Sequence, residues 1–167
     1  MTLGIGLAAA PASANLTPEQ KAKVEQAKKT IIGWAADPAV IAAVREANAK
    51  GAPAISNAKW DEMSEKDPQV KSFVDSALSE KLRKWEASSG LNKLYVRDKT
   101  ANLVGGSNKA LLFNNSTRPQ YKEGFKGAWV DDKVKPDPTT QKPSVQIAVP
   151  IKDGGNSIGV MNAAVTF

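Results

Sequence analysis

Cysteine and histidine are both absent from the 167-residue sequence. Their absence excludes disulfide bonds, thiolate nucleophiles and zinc sites built on these two ligands. It also excludes a Ser-His-Asp or Cys-His arrangement, and it removes the commonest general base of enzymes. Catalysis would have to rely on carboxylates, lysine or tyrosine alone. We therefore expect no enzyme, no catalytic residue, no metal and no cofactor.

Long apolar runs are also scarce, and the clearest one lies at the start of the chain. Residues 1–14, MTLGIGLAAAPASA, carry no charged side chain and end in the small-x-small pattern Ala12-Ser13-Ala14. The run is too short for a bilayer, which takes about 20 apolar residues. It predicts an export signal, truncated at its start because the usual positive charge is missing, with a disordered Ala-rich tail as the alternative. We expect a periplasmic or secreted protein with no membrane span after the signal.

The formal charge of +6 is compatible with an anionic partner. The basic residues, however, alternate with acidic ones along the predicted helices, and the sequence contains no basic block and no RNP-like motif. This pattern is typical of a solvated, mildly basic surface. We therefore do not expect a nucleic-acid partner.

Helical signals fill residues 15–90. Three predicted helix starts share one sequence pattern, an N-cap residue followed by proline: Thr17-Pro18, Asp37-Pro38 and Asp67-Pro68. Gln20 completes a capping box with Thr17. We expect helices from residue 18, from 38 to 50 and around 57–64, and one continuous helix from 68 to 89 that ends at Gly90.

Strand signals fill residues 91–167. Apolar and polar residues alternate around 94–97, 102–106, 127–131, 145–151 and 157–167, and Asp153-Gly154-Gly155-Asn156 is typical of a hairpin turn. Residues 107–126 and 132–143 are expected to be irregular. Strands joined by short turns pair antiparallel. The sequence therefore predicts one α+β domain over residues 15–167, with its helical part packed on a five- to six-stranded antiparallel sheet.

Three sequence segments resemble a known family: KLYVRDKTANLVGGSN, RPQYKEGFKGAWVDD and SVQIAVPIKDGGNSIGVMNAAVTF. They resemble the first hairpin, the middle segment and the closing hairpin of extracytoplasmic Cache (PAS-like) sensor domains. The helical phrase DPAVIAAVREAN is similar to a stand-alone periplasmic version of this module. The resemblance therefore spans nearly the whole chain after residue 14.

The resemblance implies a pocket for a small organic ligand on the sheet face away from the long first helix. Ligands of the family are commonly carboxylates, amino acids or amines. Many members are parts of receptors, and this sequence stops at Phe167, just after its last strand. We therefore expect a small-ligand sensor that signals through a partner such as a membrane receptor or kinase.

The resemblance places a carboxylate anchor at Arg118, because a guanidinium binds a carboxylate with two parallel hydrogen bonds. Tyr121 would add a hydroxyl or a ring wall, Trp129 would form the pocket floor, and Asp131 would hold a ligand amine. A solvated arginine, two core aromatics and a loop carboxylate are the alternatives. Pro119-Gln120-Tyr121 departs from the Arg-x-Trp-Tyr phrase of amino-acid-binding members, which puts amino-acid specificity in doubt.

Two strands add further candidates. Tyr95 and Arg97 share one face of the first predicted strand and would contact a ligand if that face lines the pocket. Asn162 lies in the middle of the last strand, and a buried amide there needs a hydrogen-bond partner. A ligand or a neighbouring side chain could be that partner.

Two other functions remain open at this point. The first is a structural or interaction module whose pocket is filled by side chains and whose helical part forms a homodimer interface. The second is a carboxylate-based hydrolase, for which the sequence offers only the adjacent pair Asp131 and Asp132.

The signal assignment predicts cleavage after Ala14, so that the exported protein begins at Asn15. Intact-mass measurement of protein recovered from the periplasm or the medium checks this prediction. Exported protein that retains residues 1–14 would show that this segment is not a cleaved signal.

Overall fold

The computed structural model describes residues 14–138 and 140–167. Apart from the backbone of Ala14, the predicted signal lies outside the described residues. The elements follow in this order: β1 (Ala14–Asn15), α1 (Pro18–Ala35), α2 (Pro38–Lys50), α3 (Asn57–Glu62), α4 (Pro68–Val74), α5 (Ala77–Ser89), β2 (Leu91–Arg97), β3 (Leu103–Gly106), α6 (Pro119–Lys126), β4 (Trp129–Val130), β5 (Lys133–Pro136), β6 (Pro143–Asp153) and β7 (Asn156–Thr166).

The helix starts follow the predicted capping pattern. The Thr17 side chain accepts a hydrogen bond from the Gln20 backbone at 3.2 Å, and the Gln20 side chain accepts one from the Thr17 backbone at 3.0 Å. Asp37 and Asp67 cap α2 and α4 through the second residue of each helix. These bonds satisfy amide groups that an uncapped helix would leave without partners.

The prediction of one continuous helix over residues 68–89 is wrong. The chain forms α4 and α5 instead, and Ser76 caps the second helix by accepting a hydrogen bond from the Ser79 backbone at 3.2 Å. A serine cap needs extended backbone, and Ser76 has a ψ of 161°. The apolar spacing continues across the break, which explains why periodicity alone did not reveal it.

Two segments expected to be irregular contain regular structure. Helix α6 lies within residues 107–126 and begins with Pro119 at its first position, where proline fits best. Strand β5 lies within residues 132–143 and pairs with β6. Its charged side chains and its closing Pro136 are typical of a strand near a sheet edge.

The strands form one antiparallel sheet in the order β1-β5-β6-β7-β2-β3, and the short β4 also pairs with β6. Strands β6 and β7 are joined by a tight turn in which Gly154 and Gly155 have φ values of 56° and 87°. Such turns need left-handed backbone, which glycine adopts without a steric cost. The α+β class and the antiparallel sheet are confirmed.

Strand β2 contains one irregularity that sets its alternation. Asn92 pairs with Ala164 and Tyr95 pairs with Asn162, so three steps along β2 match two steps along β7. Lys93 lies in this bulge and has a left-handed φ of 56°. The bulge lets Leu91 and Leu94 both face the helices, while Tyr95 and Arg97 face the opposite side.

The two faces of the sheet differ in character. One face packs its apolar side chains against α1, α2 and α5 and forms the main core: Leu94, Val96, Val145, Ile147, Val149, Ile151, Met161, Ala163 and Val165. The other face carries polar side chains, among them Arg97, Gln146 and Asn162, and is only partly covered. Helix α6 covers one end of it through Tyr121.

An aromatic cluster fixes the segment between β3 and α6. The Trp60 indole lies 5.4 Å from the Phe113 ring, and the Phe73 ring lies 5.3 Å from Phe113. The Trp60 indole N–H donates to the Ala110 carbonyl at 2.7 Å. These contacts hold residues 110–113 beside the polar sheet face.

Across the described residues, no helix is both long and apolar enough to span a bilayer.

A substitution at Gly124 tests how closely α6 packs against the sheet. A Cβ at this position would lie 2.6 Å from the Ala148 Cβ and 3.2 Å from Val160. Gly124→Ala should therefore lower the free energy of unfolding by about 1–3 kcal/mol, measured by denaturant titration.

Gly33→Ala is the matched control, because Gly33 lies in α1 with no atom within 4 Å of a built Cβ. It should raise the free energy of unfolding by about 0.5–1 kcal/mol. Equal effects at the two sites would contradict the close packing of α6.

Candidate ligand-binding cavity

The polar face of the sheet forms the floor of a cavity of about 950 Å³. Strands β2, β6 and β7 provide its base, and α3, residues 110–112 and the start of α6 provide its sides. Small-molecule sites usually have volumes of about 300–1,000 Å³. The cavity is therefore large enough for an organic ligand.

The cavity brings together six of the seven residues that the sequence singled out: Tyr95, Arg97, Arg118, Trp129, Asp131 and Asn162. Tyr121 does not line it. Tyr121 is buried against Ala101, Ala148 and Val160, and its hydroxyl donates to the Asp98 carbonyl at 3.1 Å. Burial raises the pKa of the Tyr121 hydroxyl to about 12. The apolar contacts and the hydrogen bond of Tyr121 hold α6 on the sheet.

Arg97 is the most deeply buried of the cations that line the cavity in the described chain, with 2% of its surface exposed. Its guanidinium donates to the carbonyls of Ala101 at 3.3 Å, Phe113 at 2.9 Å and Leu112 at 3.1 Å. Its Nε has no hydrogen-bond partner within the described part of the chain. Burial lowers the pKa of Arg97 to about 10, so the group stays a cation at neutral pH.

Asn162 lies on the central strand β7, next to the part of β2 that carries Arg97, and is 4% exposed. Its neighbours in register are Tyr95 on β2 and Ala148 on β6. The Tyr95 hydroxyl donates to Asn108, and the Tyr95 ring lies against the Arg97 guanidinium. The Asn162 Oδ1 accepts no hydrogen bond from any residue that the structure describes.

Arg118 lies at the mouth of the cavity, where it is exposed and occupies the N-cap position of α6. Its side chain makes no capping hydrogen bond, and it takes part in none of the ion pairs of residues 14–138 and 140–167. The side chain is thus available to a ligand that enters from solvent.

Trp129 and Asp131 lie on the β4 side of the cavity. Trp129 is half-buried and packs against the Tyr121 cluster. The Asp131 carboxylate pairs with Lys135 at 2.8 Å, and its backbone N–H donates to the Gln146 carbonyl. Asp131 is therefore already neutralised by a neighbouring cation.

Sequence reasoning missed an ion pair in the cavity wall. Lys93 Nζ lies 2.5 Å from Asp137 Oδ1, and the exposed fractions of the two side chains are 11% and 0%. Asp137 also accepts from the Thr140 backbone at 2.8 Å, which shapes the loop that leads into β6. The only available signal was the Asp-Pro pair at residues 137–138, which does not reveal a partner 44 residues away.

The charges that line the cavity are unequal. It contains four cationic side chains, Lys93, Arg97, Arg118 and Lys135, and three carboxylates, Asp61, Asp131 and Asp137. The two lysines are paired with Asp137 and Asp131. Arg97, Arg118 and Asp61 take part in no ion pair of the described residues, so the lining carries one net positive charge and favours an anion.

The described residues contain no group of three acidic, cysteine or histidine side chains that could hold a metal ion.

No family model matches the sequence, and no curated protein matches it. Solved structures that are similar to the chain include the following three. The sensor domain of the Vibrio cholerae histidine kinase DctB has 15% identity and a TM-score of 0.46, covering 89% of this chain and 55% of its own. The ligand-binding domain of the Campylobacter jejuni chemoreceptor Tlp3, in complex with L-valine, has 13% identity and a TM-score of 0.46, covering 89% and 58%.

The ligand-binding domain of the Pseudomonas aeruginosa amino acid chemoreceptor PctC, in complex with GABA, has 14% identity and a TM-score of 0.46, covering 66% of this chain and 48% of its own. The chain thus spans about half the length of these three structures. At these identities the likeness concerns the fold and identifies neither a ligand nor a partner for this chain.

Proposed function

We propose that the chain is an extracytoplasmic sensor domain that binds a small organic anion or an amino-acid-like ligand. The observation that carries the proposal is the cavity itself, with a buried arginine at its base. In a purely structural module this sheet face would be filled with apolar side chains, as the opposite face is. The polar face is instead lined with groups that need partners.

The buried arginine supports an anionic ligand. Removing a cation from water costs several kcal/mol unless an anion compensates it, and the hydrogen bonds of Arg97 go only to neutral carbonyls among the described residues. The neighbouring Asp98 stabilises its charge electrostatically but forms no ion pair with it in the described part of the chain. A ligand carboxylate would add that ion pair. Arg118 at the mouth would attract the same group from solvent, because charged residues at an opening steer ligands of opposite sign.

Apolar groups at the edge of the cavity support an organic ligand over an inorganic ion. Leu111 is 57% exposed, which is unusual for leucine, and it lies next to Ala110 in the cavity wall. Trp129 presents part of its indole from the other side. A ligand with a short hydrocarbon portion would cover these surfaces and gain about 25 cal/mol for each Å² removed from water.

Strand β7 offers a physical route from ligand to partner. Asn162 faces the cavity, whereas its neighbours Met161 and Ala163 pack in the core shared with α1 and α2. A displacement of β7 on binding would therefore be transmitted to these helices. A receptor or kinase that contacts the helices would respond to it.

The proposal predicts that small carboxylates or amino acids raise the melting temperature. At one hundred times its dissociation constant, a ligand adds about 2.7 kcal/mol of stability. For a domain of this size that corresponds to about 5–10 °C. A thermal-shift screen of carboxylates, amino acids and amines measures the effect.

Arg118→Ala should reduce the shift produced by anionic ligands, because it removes the exposed cation at the mouth. Lys122→Ala is the matched control, since Lys122 is an exposed cation of α6 that does not line the cavity. A screen without a single stabilising compound would refute the sensor proposal and favour the structural module with a helical dimer interface.

A further inference from the structure

The base of the cavity contains two buried polar atoms without partners in the described residues, and they have opposite hydrogen-bonding character. The Arg97 Nε is a donor, and the Asn162 Oδ1 is an acceptor. Buried polar atoms in folded proteins nearly always have partners, so each unpaired atom requires an explanation. Both of these atoms belong to residues that line the same cavity.

The two residues are neighbours on the sheet. Arg97 pairs with Val160 and Tyr95 pairs with Asn162, so Arg97 and Asn162 are diagonal neighbours on adjacent strands. Diagonal positions on one face are about 7–8 Å apart at their Cα atoms, within reach of long side chains. Both atoms are enclosed at the base, so one small chemical group would contact both after a small shift of the two side chains.

The Arg97 guanidinium determines the first part of that group, which must accept a hydrogen bond. Three of its five N–H donors are used by backbone carbonyls, and the Nε–H is among those that remain. A carboxylate accepts such hydrogen bonds strongly and brings the negative charge that the three carbonyls lack. An amide or ester would accept the bond without adding a negative charge beside the guanidinium.

The Asn162 Oδ1 determines the second part of the ligand group, which must be a hydrogen-bond donor next to the carboxylate. An amino group and a hydroxyl are the two simple choices. An ammonium would lie close to the Arg97 cation, and like charges at short range disfavour each other. The carboxylates that could balance it are paired with lysines in the case of Asp131 and Asp137, and exposed in the case of Asp61. A hydroxyl brings no second positive charge.

We propose that the ligand of this cavity is an α-hydroxy carboxylate, with its carboxylate on Arg97 and its α-hydroxyl donating to Asn162. This inference rests on the proposed ligand-binding function and specifies the chemistry of the ligand's buried end. The hydrocarbon portion of the ligand extends toward Leu111 and Trp129 at the edge of the cavity.

A series of four compounds with one carbon skeleton tests the inference by calorimetric titration. The compounds are 2-hydroxybutanoate, butanoate, 2-aminobutanoate and 2-hydroxybutanamide. We expect 2-hydroxybutanoate to bind best, with butanoate about 10-fold weaker because it lacks one hydrogen bond to a buried group. We expect 2-aminobutanoate and the uncharged amide to be weaker than 2-hydroxybutanoate by at least a similar factor.

Asn162→Ala tests the second contact without a change of charge. The variant removes an unsatisfied acceptor and places alanine beside Ala163 and Ala164, so we expect it to fold. It should bind 2-hydroxybutanoate and butanoate equally. Gln146→Ala is the matched control, because Gln146 also lines the cavity but is not among the buried unpaired groups of the described chain. It should keep the preference for the hydroxyl.

Three results would overturn the inference: stronger binding of 2-aminobutanoate, equal binding of butanoate and 2-hydroxybutanoate by the unaltered protein, or no binding of any carboxylate in the series. In each case a ligand found in the wider thermal-shift screen would leave the sensor proposal intact. The absence of any ligand in that screen would overturn both.

Discussion

The position of β7 between β6 and β2 is the constraint on which the rest of the structure depends. β7 pairs with β6 from Ser144↔Thr166 to Asp153↔Asn156 and with β2 on its other edge. Because side chains alternate along a strand, this pairing assigns every residue of the three strands to one face or the other. The helical core and the cavity are two sides of the same hydrogen-bonded ladder.

A buried cation in such a sheet lowers stability unless something compensates for it. The fold holds the Arg97 guanidinium with three backbone carbonyls and places it 5.9 Å from the centre of the Tyr95 ring. These contacts satisfy part of its hydrogen-bonding capacity, and the neighbouring Asp98 stabilises its charge electrostatically without forming an ion pair with it among the described residues. Stability offered by the large core on the other face makes this arrangement tolerable, and residues kept at a cost to stability are characteristic of functional sites.

The sequence predicted well whatever depends on local patterns. The caps at Thr17, Asp37 and Asp67 and the turn at Gly154-Gly155 are decided by neighbouring residues, and alternation was sufficient to put Tyr95 and Arg97 on one face. The class of the fold followed from the order of these patterns.

Features that depend on tertiary contacts were missed. The Lys93–Asp137 pair joins residues distant in sequence, and α6 is held by contacts of Tyr121 with the sheet. The family resemblance predicts Arg118 as the main anchor; the structure places it exposed at the mouth, while Arg97 is enclosed at the base. Burial depth depends on which segments pack over a strand, and no local pattern encodes it.

The bulge at Lys93 has a consequence for how this domain can change over evolutionary time. If β2 kept all its residues but lost the bulge, Leu91 and Arg97 would fall on the same side of the strand, because both have odd positions. A single-codon deletion between Leu94 and Arg97, where the alternation is regular, would likewise place either a leucine in the cavity or a guanidinium in the apolar core. Insertions and deletions should therefore accumulate in the loops at either end of β2, while the length of the strand itself stays constant among descendants that keep the same specificity.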